Sequence, residues 1–219
     1  MELNQSQNPP PKILFRKIIN IAIFCVIAAL MNLLLSAFVM NFLRFPLFLD
    51  TVCTAAIAFT FGAIPGIVTA VLTWFLPCVY HGSFSFYVLC SIAEVLFICA
   101  IKPSAVHISD FSQGEWMAAS KEKIAASYTA LVSKLFLLYI LCAIAISVLG
   151  GVVDYITHTF MERHYFSIDD TFKPGLIMYN LPALAVNIVS RIPVNIVDRF
   201  IVIFGGYFIS RALMRIKIE

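Results

Sequence analysis

The side chains able to do chemistry here are the charged and amide residues lying inside apolar runs. Asp50 heads one such run, directly after Leu49. Asn187, Arg191, Asn195, Asp198 and Arg199 follow one another in a second run, with Asn180 just before them. Glu94 stands alone in a third. An ionisable group in hydrocarbon is costly unless it lies at the interface, faces the protein interior or has a partner. Arginine presents a planar fork to a carboxylate, a phosphate or a ring carbonyl, and an aspartate accepts from ring nitrogens. With the aromatics Phe45, Phe48, Tyr80 and Phe84 nearby, these groups describe a pocket for a mostly planar polar ligand. The same residues suit structural ion pairs, Asp50 with Arg199 or Asp198 with Arg191, and both roles stay open at this point.

Other chemistries find less support. Asp154, His158 and Glu162 recur every four residues, with His164 close by, so a helix would align them as an outer metal row. A solvated polar face explains the same spacing. There is no GxSxG, HExxH or GxxxxGK(S/T) pattern, and no nucleophile stands beside a base and an orienting group. The expectation is a protein that is not an enzyme and carries no cofactor and no metal. The six cysteines form no CxxC pair and all fall in apolar runs, as small buried hydrophobes do. No Lys/Arg block is interleaved with aromatics, so nucleic acid is not expected as a partner.

The elements that must position these groups are membrane spans. The chain has 219 residues, 61% hydrophobic and 12% charged, against nearly half apolar and a quarter charged in soluble domains. The expected fold is an all-α integral membrane protein, a single six-helix domain over residues 13–219 in the lipid bilayer. A polar, Pro-rich tail, 1–12, is expected to be disordered. No small-residue cleavage site follows the first apolar run, which therefore reads as a retained span and not a signal peptide. The spans fall at about 18–40, 47–61, 67–80, 86–101, 128–153 and 195–215, with a turn at 62–66 around Pro65. Residues 103–127 form the inner connection, with capping-box spacing at Ser112 and Glu115 that starts a surface helix near Gln113. Residues 154–175 form the large outer loop. Residues 176–194, interrupted by Pro182 and Pro193, read as a separate half-helix near the outer surface.

Orientation follows from the Lys/Arg bias. With both termini inside, ten basic residues lie on the inner side or near it and five on the outer side. Asp50, the 180–191 cluster and the 195–199 cluster then share the outer face. Glu94 lies mid-span and must face the interior, a partner or a cavity. It is either a hydrogen-bonded structural acid or a proton-coupling group. On the first span, Cys25, Ala29 and Ala37 make one slim side, suited to packing inside the bundle or to docking another subunit.

Two segments carry a family resemblance. Residues 48–66, FLDTVCTAAIAFTFGAIPG, contain Leu49-Asp50-Thr51 and Gly62-x-x-x-Gly66, and residues 195–203 read NIVDRFIVI, with Asp198-Arg199 near the start of the last span. Both resemble the substrate-binding S components of energy-coupling factor (ECF) importers, as do the size and span count. The resemblance implies capture of a vitamin-like small molecule outside a bacterial cytoplasmic membrane. Release inward would follow docking to a transmembrane coupling subunit and two ATPase subunits, with Cys25-x-x-x-Ala29 as the docking face. The substrate would meet Asp50, Asn187, Arg191, Asn195, Asp198 and Arg199. Similar six-span modules also serve as membrane sensors, which leaves a signalling or assembly role without transport as the alternative.

Overall fold

The structure is a computed structural model that describes residues 11–44, 47–81, 84–103, 119–160 and 172–215. Most of those residues are helical, with no strand among them. Helix α1 (Pro11–Ala37) runs into a π-helical stretch, Phe38–Leu43, which ends on Arg44 in the left-handed region. Then come α2 (Val52–Phe61), α3 (Ala63–His81), α4 (Val88–Ile101), α5 (Ala119–Phe160), α6 (Lys173–Met178) and α7 (Ala183–Arg215).

Four stretches are long and apolar enough to cross a membrane: Phe15–Leu43, Ala63–Tyr80, Ala126–Phe160 and Ala183–Arg215. Ile23, Leu34, Leu137 and Phe208 are each more than half exposed, an apolar exterior that suits lipid. These features mark a multi-pass membrane protein. Helices α2 and α4 are shorter. At 1.5 Å per residue α2 is about 15 Å long and α4 about 21 Å, against a hydrocarbon core of ~30 Å.

Helix α2 is the centre of the bundle and packs on α1, α3, α4 and α7. It is apolar on every side, as a helix surrounded by protein must be, and seven of its ten residues are buried. Small residues let α7 approach it closely. A Cβ at Gly206 would lie 2.7 Å from the Ala55 Cβ and 3.1 Å from the Val52 carbonyl oxygen. No local side chain caps α2. Instead Asn32 of α1 reaches across: its Oδ1 accepts from the Cys53 N–H at 2.8 Å, and its Nδ2 donates to Thr54 and Thr73 at 2.9 and 3.2 Å. One fully buried amide thus satisfies an orphan helix-end donor and joins α1, α2 and α3. Thr60, Thr69 and Thr73 donate to carbonyls four residues back, as hydroxyls in apolar helices commonly do.

Several boundaries differ from the sequence reading. The turn expected over 62–66 is a single residue, Gly62 at φ 92°, and α3 begins at Ala63. Pro65 lies in the first helical turn, where its missing N–H would have had no intrahelical partner. Helix α1 starts at Pro11, inside the segment assigned to the tail. Helix α5 starts within the expected inner connection and continues through Gly150 and Gly151 to Phe160, so 154–160 is helix and not loop. The expected half-helix over 176–194 divides differently: 176–178 close α6, and 183–194 belong to the same continuous helix as the last span. Pro193 sits inside α7; membrane helices tolerate proline where neighbours satisfy the freed groups. The surface helix expected near Gln113 lies outside the described residues.

Candidate functional site

Segments from five helices meet at one cavity. The C-terminal halves of α1 and α3, the N-terminal turns of α4, the later part of α5, the first half of α7 and residues 48–51, which lead into α2, contribute to it. They enclose a cavity of about 310 Å³. Its walls mix polar groups (Asp50, Arg191, Asn195, Arg199) with the aromatics Phe48, Trp74 and Tyr87.

Helix α7 supplies one polar stripe. Asn187, Arg191, Asn195 and Arg199 stand four residues apart and share a face, which continues below as Val202, Gly206 and Ser210. All of them are buried. Asn195 Nδ2 donates to the Ser147 hydroxyl of α5 at 3.0 Å, and Ser147 in turn donates to the Ala143 carbonyl. Asn187 turns back on its own helix, to the Ala183 carbonyl, and does not line the cavity.

Arg199 is held by two carboxylates. Its Nη1 pairs with Glu94 Oε2 of α4 and donates to the Thr51 hydroxyl at 3.0 Å. Its Nη2 pairs with Asp198 Oδ2, and its Nε donates to the same oxygen at 3.1 Å. Asp198 Oδ1 accepts from the Leu49 N–H at 2.9 Å. Leu49 is buried and left-handed at φ 43°, unusual for a leucine. Asp198 therefore pins the backbone turn that presents Asp50. Asp198 itself is fully buried and does not touch the cavity. Glu94 keeps one buried oxygen, Oε1, without a hydrogen-bond partner among the described residues.

Arg191 belongs to a second cluster. Its Nε and Nη2 both reach Asp154 Oδ2 of α5 at 2.8 Å, and Nη2 donates to the Tyr87 hydroxyl at 2.9 Å. Tyr87 donates to Asp154 Oδ1, and Lys173 of α6 approaches Asp154 Oδ2 at 3.7 Å. The guanidinium also lies over the Tyr87 ring, 4.9 Å from its centre. It crosses α5 at Gly150, where a Cβ would come within 2.8 Å of Nη1. Next to it Gly151 would place a Cβ 2.6 Å from the Ile188 Cα. These two glycines bring α5 and α7 together beside the site.

The expected ion pairs are thus exchanged. Arg199 pairs with Glu94 and Asp198, not with Asp50; Arg191 pairs with Asp154, not with Asp198. Asp50 lines the cavity and makes no ion pair with any cation of the described residues. Asp154 is buried in an ion pair, which replaces both readings of the 154/158/162 row for that residue. Glu162 and His164 lie outside the described residues, and among the described residues no three His, Cys, Asp or Glu side chains gather to hold a metal. Tyr80 and Phe84 are mostly exposed, with Phe84 edge-on to Trp74, and Phe45 lies outside the described residues. Asn180 is an exposed left-handed residue of the turn before α7. Cys25 and Ala29 are almost fully buried in this bundle, Cys25 against the Pro65 carbonyl, so that part of the slim side of α1 is covered by the chain itself, while Ala37 is exposed. All six cysteines are free thiols.

Sequence reading did not include Trp74, Tyr87, Ser147 or Lys173 in the site. For Trp74, as for Tyr87, there was a signal: a polar-tipped aromatic inside an apolar span needs a partner for its N–H or O–H. The Trp74 N–H finds the Ser85 carbonyl, at 2.7 Å. Comparison with protein-family models, curated proteins and solved structures gave no match to this chain.

Proposed function

We propose that this protein is the substrate-binding membrane subunit of an ECF-type importer, one that captures a vitamin-like small molecule outside and delivers it inward. On this reading six segments cross the membrane, with α2 and α4 completing short crossings, and both termini lie in the cytoplasm. The observation that carries the reading is the cavity at one end of the bundle. That end is the one poor in Lys and Arg. The polar atoms of the cavity are held in place by Arg199, Asn195 and Arg191 contacts, and such rigid placement suits recognition.

The subunit recognises and carries; it performs no bond chemistry. A separate coupling subunit and two ATPases would supply the movement. Because Cys25 and Ala29 are covered, the coupling subunit would engage another surface of the bundle. The test has two parts. Protein purified from its own membranes is denatured and searched by mass spectrometry for a stoichiometric small molecule, and uptake of that molecule is measured in cells with and without the gene. A retained molecule whose uptake depends on the gene supports the proposal. Unchanged uptake together with a co-purifying kinase or other regulator would replace it with the sensing role.

A further inference from the structure

The cavity has a chemical bias that narrows its ligand. Around Arg199 there are three carboxylates, Glu94, Asp198 and Asp50, for one guanidinium. Two of the three are paired with it. Four of its N–H groups are already directed at Glu94, Asp198 and Thr51. The second guanidinium, Arg191, is held by Asp154 and Tyr87. Both arginines on the wall therefore direct N–H groups at partners within the protein, Arg199 at two carboxylates and Arg191 at an aspartate it shares with Lys173. Asp50 is the opposite case: a carboxylate on the cavity wall with no cation paired to it among the described residues.

The rest of the wall agrees. Trp74 lines the cavity, but its indole N–H is already donated to the Ser85 carbonyl and hydroxyl. What it offers a ligand is ring surface, and tryptophan is the best aromatic partner for a cation. Phe48, Val88, Leu33 and Ile146 add apolar wall suited to a carbon framework. At about 310 Å³ the space is at the small end of the range for ligand pockets.

We infer that the ligand is a small organic cation, a protonated amine or a cationic nitrogen ring, whose charged nitrogen lies against Asp50 and whose body lies against Trp74 and Phe48. This rests on the reading of the protein as a capture subunit. It keeps the half of the first expectation in which an aspartate receives a ring nitrogen and sets aside the half in which an arginine fork received an anionic or carbonyl group.

The test uses three probes of one shape that differ in charge: benzylammonium, benzyl alcohol and benzoate. Trp116→Phe leaves Trp74 as the sole tryptophan, so its emission reports the cavity. Benzylammonium should shift that emission saturably, and at least tenfold more tightly than the other two. Asp50→Asn should remove the preference, and Asp50→Glu should retain it. Both variants should elute from size exclusion as the parent does, since no paired cation is orphaned. Equal response to all three probes, preference for benzoate, response to none, or unchanged preference in Asp50→Asn each overturns the inference. The two readings fail separately. A cation bound through Asp50 by a protein whose deletion leaves uptake intact removes the transport role alone. An anion that co-purifies, with uptake lost on deletion, removes the cation assignment alone.

Discussion

Replacing Arg199 by alanine should damage the fold before it damages recognition. The guanidinium is the shared cation of Glu94 and Asp198, whose side chains are 1% and 0% exposed. Removing one partner of a buried pair costs about 3–5 kcal/mol, because the remaining charge is left uncompensated. Here two carboxylates are left, and Thr51 loses its donor as well. For a chain of this length about 2–4 °C of melting temperature accompanies each kcal/mol, so Arg199→Ala should melt about 6–20 °C lower. The assay is thermal unfolding in detergent, read as the fraction that stays monodisperse, with membrane abundance measured alongside. A neutralised triple variant, Glu94→Gln with Asp198→Asn and Arg199→Met, separates lost charge balance from lost shape. The amide oxygen that Asp198→Asn introduces can still accept from the Leu49 N–H. The triple variant should recover most of the loss, since apolar or neutral replacements of buried ion clusters are often tolerated. An Arg199→Ala protein that melts with the parent, or a triple variant no more stable than the single one, would refute the argument.

The other perturbations are graded by what they leave behind. Arg191→Ala should cost less than Arg199→Ala, because Asp154 retains Lys173 at 3.7 Å; the order of the two melting temperatures checks this. Gly151→Val should lower the melting temperature by the equivalent of about 1–3 kcal/mol of overpacking, since the nearest atom to a new Cβ is Ile188 backbone, which cannot rotate aside. Asn32→Leu should cost about 1–3 kcal/mol by stranding the Cys53 N–H, and faster amide exchange at the start of α2 would locate the loss.

Much of the fold was legible because membrane spans are written in long apolar runs. The helical class follows from composition, and Asp50, Arg191, Asn195 and Arg199 do meet around one cavity. The errors cluster where two proximal signals conflict. Pro182 and Pro193 read as breaks; Pro182 does stand just before α7, yet Asn187, Arg191, Asn195 and Arg199 stand at a helical spacing that runs straight through Pro193. In an apolar segment a periodic polar stripe outweighs a single proline, because the stripe must be buried together while neighbouring helices satisfy the freed carbonyl. Gly150 and Gly151 fall inside the span expected over 128–153, but spacing gave no sign that they are contact points, required by an arginine and an isoleucine from α7.

The charge pairing was not legible, for a physical reason. Residues adjacent on a helix do not face each other, so nothing local predicts that Arg199 folds back onto Asp198. Glu94 and Asp154 lie 105 and 37 residues from the arginines they meet, and only the packing of α4 and α5 on α7 sets those partners. Yet partner identity decides what each charge can do. An arginine saturated by two carboxylates is a strut, whatever its position on a cavity wall. An aspartate in the same wall, with no cation of the described residues paired to it, is the group that a ligand can still change. Both are ionisable and both line the cavity, and counting donors and acceptors separates their roles where burial alone does not. That count makes Arg199 the residue to probe for folding and Asp50 the residue to probe for binding, and a variant at either that produced the other's phenotype would undo the distinction.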